Sequence, residues 1–306
     1  MDGSVARPRP FLALGVRILS VFTLATMAML VKLAGERGVH LLEMIFWRQL
    51  LTAVLIAAIL YAGGRLMSVK TTRFKAHALR AISGIIGMCF VYGAVVLLPL
   101  AEATVISFTT PFFAVLISVI LFGEKIGIYR GSAVALGFAG ILVIVSGGDF
   151  SSGLAIDPFG LGVGLVAAIL VSLISFQIQD LNKTESPWTI VFWFTFLTAP
   201  LAALSLPFVA TAHSMETWAI IGAMALSGAI AQLLLTSSLR FGSAAVIMVM
   251  DYTSLIWATL YGWYVFEVLP SPTLWAGAPL IIGAGLLIAY RERVIAREKA
   301  KLAEPA

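Results

Sequence analysis

Two ionisable residues stand inside apolar runs of this chain: Asp251, in AAVIMVMDYTSLIWATLYGW, and Arg48, in LLEMIFWRQLLTAVLIAAIL. In hydrocarbon, an acid near mid-helix costs about 2.5–3.5 kcal/mol on insertion scales, so Asp251 must face protein or water. On a continuous helix Ala244, Ile247, Asp251, Ser254, Ala258 and Gly262 share an arc of about 80°, and this mostly small face leaves room beside the carboxylate. Asp251 is then either the titratable acid of a transport site or a hydrogen-bonding tie between helices. Arg48 lies about 10 Å from the outer end of its run. It pairs with Asp251, holds an anionic group of a solute, or snorkels outward. Lys32 is one turn from Glu36, which makes a solvated i,i+4 pair the simpler reading and a transport role the second.

Weaker candidates surround these. Thr104, Ser107, Pro111, Ala114 and Ser118 fall on another narrow arc, where hydroxyls and a carbonyl freed by Pro111 form either a cavity wall or a proline-kinked packing face. Phe46, Trp47, Phe108 and Tyr252 adjoin the polar candidates and can sandwich a planar or apolar solute, although core and interfacial roles are the commoner use of such rings. Gln177, Gln179 and Gln232 hint at a polar lining. Glu43, Glu102, Glu124 and Glu267 stand at run ends, as interfacial or gate-loop residues.

The elements that carry these residues are set by composition. The chain has 306 residues, 60% of them hydrophobic and only 11% charged, with a mean hydropathy of +1.03. Soluble domains carry about 25% charged residues, so a water-facing surface is excluded. One cysteine, Cys89, and three histidines, His40, His77 and His213, give neither a disulfide framework nor a zinc cluster. There is no H-E-x-x-H, no D-D-x-x-D and no phosphate loop, so catalytic, cofactor and metal sites are not expected. The net charge of +5 is read as a membrane-topology signal and not as a nucleic-acid surface.

Ten apolar runs are long enough to cross a bilayer: 12–33, 41–62, 77–98, 101–121, 128–147, 158–179, 188–209, 216–239, 243–265 and 272–290. They lack strand alternation, so they are helices. The first is expected to be a span and not a signal peptide. With the N-terminus cytoplasmic, 17 of the 20 Lys and Arg residues fall on the inner side, Arg17 and Arg80 among them, and only Arg37 in an outer loop. That asymmetry predicts ten helices with both termini inside.

Residues 101–144 and 244–288 resemble each other, with Glu124 matching Glu267 at an offset of 143. Five spans per half is odd, so the second half enters the membrane from the opposite side. The break after Glu124 keeps Lys125 and Arg130, whereas the break after Glu267 has no basic residue. The expected fold is an all-α integral membrane protein of ten transmembrane helices in two inverted five-helix repeats, 1–150 and 151–306.

FWRQL at 46–50, LPLAEATVISFTTP at 98–111, LFGEK at 121–125 and DYTSLIWATLYGW followed by VFE at 251–267, on that architecture, resemble the EamA-like branch of the drug/metabolite transporter superfamily. The resemblance covers nearly the whole chain. It implies a secondary carrier of small organic solutes in a bacterial inner membrane, often an exporter, with a central cavity and the last helix of each half at the periphery. An uptake carrier of a riboflavin- or S-adenosylmethionine-type metabolite is the alternative within the family. A membrane-embedded enzyme is the rival class, a channel a third. The expected partners are a small-molecule substrate, the bilayer and protons, with no nucleic acid; the protein is a monomer or homodimer. In place of the family's usual Gly-Glu, the second copy has Phe266-Glu267.

Overall fold

The computed structural model of the chain describes residues 10–123, 127–146, 156–238 and 250–303. The helices are α1 (Pro10–Glu36), α2 (Leu41–Ala62), α3 (Phe74–Leu97), α4 (Leu100–Ser107), α5 (Thr110–Phe122), α6 (Ile128–Val145), α7 (Pro158–Leu181), α8 (Pro187–Ala203), α9 (Leu206–Val209), α10 (Met215–Ser238), α11 (Ser254–Phe266) and α12 (Pro272–Ala303). Local chemistry sets their starts. Asp157 accepts from the Gly160 amide at 2.6 Å and Ser186 from the Thr189 amide at 3.1 Å. In each case a proline follows the cap and contributes no orphan N–H.

Among the described residues, eight helical stretches are long and apolar enough to cross a membrane, and α8 is a shorter apolar helix. The surface confirms this. Large apolar side chains such as Leu19, Val54, Ile82, Leu142, Phe196 and Ile256 point outward, while Arg17, Lys32, Glu43, Gln49, His77, Arg80 and Glu102 are buried. A water-soluble protein is arranged the other way round.

Four expectations about the elements change. The run at 101–121 is two helices, α4 and α5, separated by a turn at Phe108–Thr109. In the run at 243–265, a turn at Tyr252–Thr253 precedes α11; Ala244 and Ile247 lie outside the described residues. The run at 188–209 turns after Ala203, and the last helix continues past 290 to Ala303. Neither arc drawn on a continuous helix therefore survives intact.

The helix pairings look the same when the two halves are exchanged. α1 packs on α10 as α7 packs on α3, and α1 on α11 as α7 on α5, while α2 pairs with α8 and α6 with α12. The α6–α12 crossing is close enough that a Cβ on Gly277 would stand 2.6 Å from the Gly140 carbonyl oxygen, the small-residue contact that lets helices associate in lipid. Thus the last helices of the two halves lie against each other.

The halves align at an interval of 144 residues, which revises the offset of 143. α5 ends on Gly123 at φ 65°, and α11 ends on Glu267 at φ 55°. Glu267 thus occupies the left-handed position of Gly123, and Glu124 lies outside the described residues. A Cβ in that conformation costs about 1 kcal/mol or more. Glu267→Gly is expected to stabilise the protein by about 1 kcal/mol, and Gly123→Ala to destabilise it by a similar amount, in detergent melting curves. A Glu267→Gly variant that melts below wild type contradicts this.

Candidate functional site

The two interrupted helices meet at their breaks. In the first half, Pro111 has no amide to offer the Ser107 carbonyl, and the Thr110 hydroxyl donates to that oxygen at 2.7 Å. The Thr109 hydroxyl donates to the Ile106 carbonyl, also at 2.7 Å. In the second half, the Ser254 hydroxyl donates to the Asp251 carbonyl and the Thr253 hydroxyl to the Met250 carbonyl, both at 2.6 Å. The same pair of hydroxyls, 144 residues apart, closes both breaks, though only the first has a proline. Phe108 and Tyr252 occupy equivalent turn positions and touch edge-to-face at 4.8 Å. Gly285 of α12 leaves the space that the Tyr252 hydroxyl fills.

Asp251 is the repeat counterpart of Ser107 and sits at the break. Its carboxylate is bound bidentately by Arg17 of α1, Nε to Oδ1 at 2.8 Å and a terminal nitrogen to Oδ2 at 2.6 Å. Arg17 is buried, while the Asp251 side chain keeps 42% exposure. The expected Arg48–Asp251 pair is therefore replaced by Arg17–Asp251. Arg17 stands within an apolar helix and not in a loop.

The pair is the first rung of a seam between α1 and α11. Phe22 meets Trp257 edge-on at 4.8 Å, Thr26 and Tyr261 share a hydrogen bond of 2.7 Å, and Lys32 lies 5.6 Å from the Phe266 ring centre. The interval stays at 234 or 235 residues along the whole length, so the two helices run parallel in constant register.

Lys32 is not in a solvated pair with Glu36. It is buried, and its ammonium donates to the carbonyls of Leu98, Val96 and Val95 at 2.9, 3.2 and 3.4 Å. These are the free carbonyls at the end of α3, which Pro99 prevents the next amide from satisfying. A pocket of 420 Å³ opens there, lined by Lys32, Glu36, Pro99, Phe266 and Glu267 among others. Buried Glu102 accepts from the Ser271 amide at 3.2 Å and ties the two halves together.

The remaining candidates lie elsewhere. Arg48 packs with Met27 against Gly228 of α10 and reaches Met88 Sδ at 3.8 Å; Gln232 is one turn further along α10. Trp47 stacks edge-on with Phe46 and Trp218. It lies near a buried pair that the sequence reading passed over, His213 Nε2 at 3.0 Å from both oxygens of Glu43. The aromatic candidates thus form two clusters and not one sandwich. Phe108, Tyr252, Ser107, Ser254, Pro111 and Asp251 come together; Arg48, Gln232, Trp47 and Lys32 lie away from them.

An apolar helical bundle with a repeated broken helix and an ion pair inside it defines a polytopic membrane protein. The EamA-like transporter family model matches residues 11–146 and 158–290, and the chain belongs to that family, which is one of transporters and not of enzymes. It is 27% identical to a riboflavin transporter of Brucella anthropi, over 83% of this chain and 90% of that one. It is 26% identical to a pseudopaline exporter of Pseudomonas aeruginosa, over 90% and 95%, and 26% identical to an S-adenosylmethionine uptake transporter of Rickettsia prowazekii, over 90% and 92%. One solved crystal structure superposes with a TM-score of 0.62 at 20% identity, covering 93% of this chain and 97% of the other; that likeness is one of fold.

Because the Asp251 side chain is only partly buried, its coupling to Arg17 is expected below the buried-pair range, at about 1 kcal/mol. A double-mutant cycle of Arg17→Met and Asp251→Asn, followed by thermal unfolding in detergent, measures it. Additive single effects contradict a stabilising pair.

Proposed function

We propose that the protein is a proton-coupled secondary carrier that moves a small organic solute by alternating access across a bacterial inner membrane, with both termini cytoplasmic. The observation that carries the reading is the bidentate Arg17–Asp251 pair, which joins α1 of the first half to the break of the second inside an apolar bundle. A carboxylate in that position is answered by its cation. Protonation discharges it, removes both charge-assisted bonds and frees the inner end of the α1–α11 seam. The pocket at the opposite end of the seam, between Lys32 and Glu267, supports a state closed at one end and open at the other. The repeat gives a physical route to the reverse state, because each half holds an equivalent hydroxyl-closed break.

Outward transport is the leading reading, in keeping with the exporter among the relatives. Uptake of a planar, vitamin- or nucleoside-like solute is the second, favoured by the ring pairs Phe108–Tyr252 and Phe22–Trp257 and by the relative named for riboflavin.

A thermal-shift screen of the purified protein against amino acids, flavins and nucleosides selects a solute for flux assays in proteoliposomes. An imposed pH gradient is expected to drive net movement of that solute, its sign giving the direction. Asp251→Asn is expected to abolish the gradient-driven part while leaving solute exchange measurable. Flux indifferent to pH and unaffected by Asp251→Asn contradicts the coupling.

A further inference from the structure

The seam does not use Arg80, which lies in α3 with 9% exposure. Its Nε and one terminal nitrogen are buried without a hydrogen-bond partner, and among the described residues no carboxylate lies within ion-pair reach. The guanidinium rests on the Phe194 ring of α8, 4.1 Å from its centre. It occupies space left open by Gly84, where a Cβ would strike both Arg80 and Phe194. The neighbouring polar groups are committed elsewhere. Arg73 is bound to Asp180, Ser83 donates to Gln177 at 2.7 Å, and Glu185 accepts from Thr71 at 2.6 Å while standing 3.8 Å from His77. Both nitrogens of buried His77, one turn from Arg80, lack a hydrogen-bond partner.

A buried guanidinium without a counter-ion is costly, since a ring face supplies only part of what water or an anion gives it. Placing it on a transport protein's helix interface, over a glycine that keeps the space clear, is sensible if an anion arrives to complete it. The repeat strengthens this. Gly84 and Gly228 are 144 residues apart, the interval of the two breaks, and Gly228 is where Arg48 packs with its own Nε unpartnered. The two glycines at repeat-equivalent positions thus each clear space for a guanidinium with an orphaned nitrogen, Arg80 on Gly84's own helix and Arg48 reaching Gly228 from α2.

We propose that Arg80, backed by Phe194, binds the oxyanion group of the transported solute, a carboxylate or phosphate, in a station distinct from the Arg17–Asp251 pair. The proposal rests on the carrier reading for the solute's passage, but its binding step is read without flux, so a failure of proton coupling and a failure of anion binding are told apart.

The test uses the full chain in nanodiscs of neutral phosphatidylcholine, titrated with sodium benzoate or inorganic phosphate against sodium chloride at matched ionic strength. One of the two oxyanions is expected to raise the melting temperature saturably, by about 2–4 °C. Arg80→Met is expected to melt above wild type without ligand, because it removes an uncompensated charge, and to show no response; Arg80→Lys is expected to keep a weakened one. A response that persists in Arg80→Met, or its absence from wild type, overturns the proposal. A stabilisation obtained only with anionic phosphatidylglycerol, and not with either free anion, assigns the site to a lipid headgroup and overturns the solute assignment. Should Arg80→Met fail to fold, Phe194→Leu keeps the cation and removes its backing ring. At least a severalfold loss of apparent affinity is expected there, and an unchanged affinity overturns the proposal.

Discussion

A carboxylate placed in an apolar bundle has to be answered by a cation or be discharged, and in this protein the answer comes from the other half of the chain. Arg17 and Asp251 are 234 residues apart, yet they make two parallel charge-assisted bonds. Neither charge is free to turn to lipid, so the pair fixes α1 against the break before α11 and sets the register of every rung beyond it. Phe22 on Trp257, Thr26 on Tyr261 and Lys32 beside Phe266 follow at a constant interval. On the proton-coupled reading proposed above, the same pair is where the seam opens, because protonation of Asp251 discharges its carboxylate.

The breaks explain how a membrane helix can be interrupted at low cost. Each interruption frees carbonyl groups that lipid cannot satisfy. Here, hydroxyls three residues on fold back to take them, with Thr109 and Thr110 serving one half and Thr253 and Ser254 the other. Pro111 enforces the break in the first copy; in the second, Leu255 takes its place and the hydroxyls are kept. The Phe108–Tyr252 contact then joins the two breaks at the centre of the repeat. Asp251 stands where the first half has Ser107, so the Arg17–Asp251 pair has no symmetric equivalent and the two ends of the bundle are chemically different.

Much of this was legible in the residues. The length of the apolar runs, the asymmetry of Lys and Arg and the internal similarity predict a helical membrane protein of two repeats, and EamA-like motifs predict the family. Asp251 stood out because an acid in such a run needs a partner. Its actual partner was hidden, since Arg17 near the first run's start looks like an inner-loop charge, and helix length alone does not say that it turns inward. Arg80 was obscured in the same way, near the start of the third run and just after four basic residues that precede it. The small residue following it, Gly84, was the available signal: four positions on, it clears the helix face on which the guanidinium lies. Lys32 was misread because its i,i+4 neighbour Glu36 is visible in sequence, whereas the carbonyls that capture it belong to another helix. Position 267 shows the limit of matching letters. Aligning Glu with Glu gave an offset one residue short, and only backbone geometry pairs Glu267 with Gly123.

The central claim is that the α1–α11 seam must part during transport. Its most direct test is a reversible covalent lock across it: Phe22→Cys with Trp257→Cys in a Cys89→Ser background, joined by a short thiol cross-linker and assayed for solute exchange in proteoliposomes. The account predicts that the cross-linked protein stops exchanging solute and that reductive release of the link restores it. Undiminished exchange in fully cross-linked protein would contradict it.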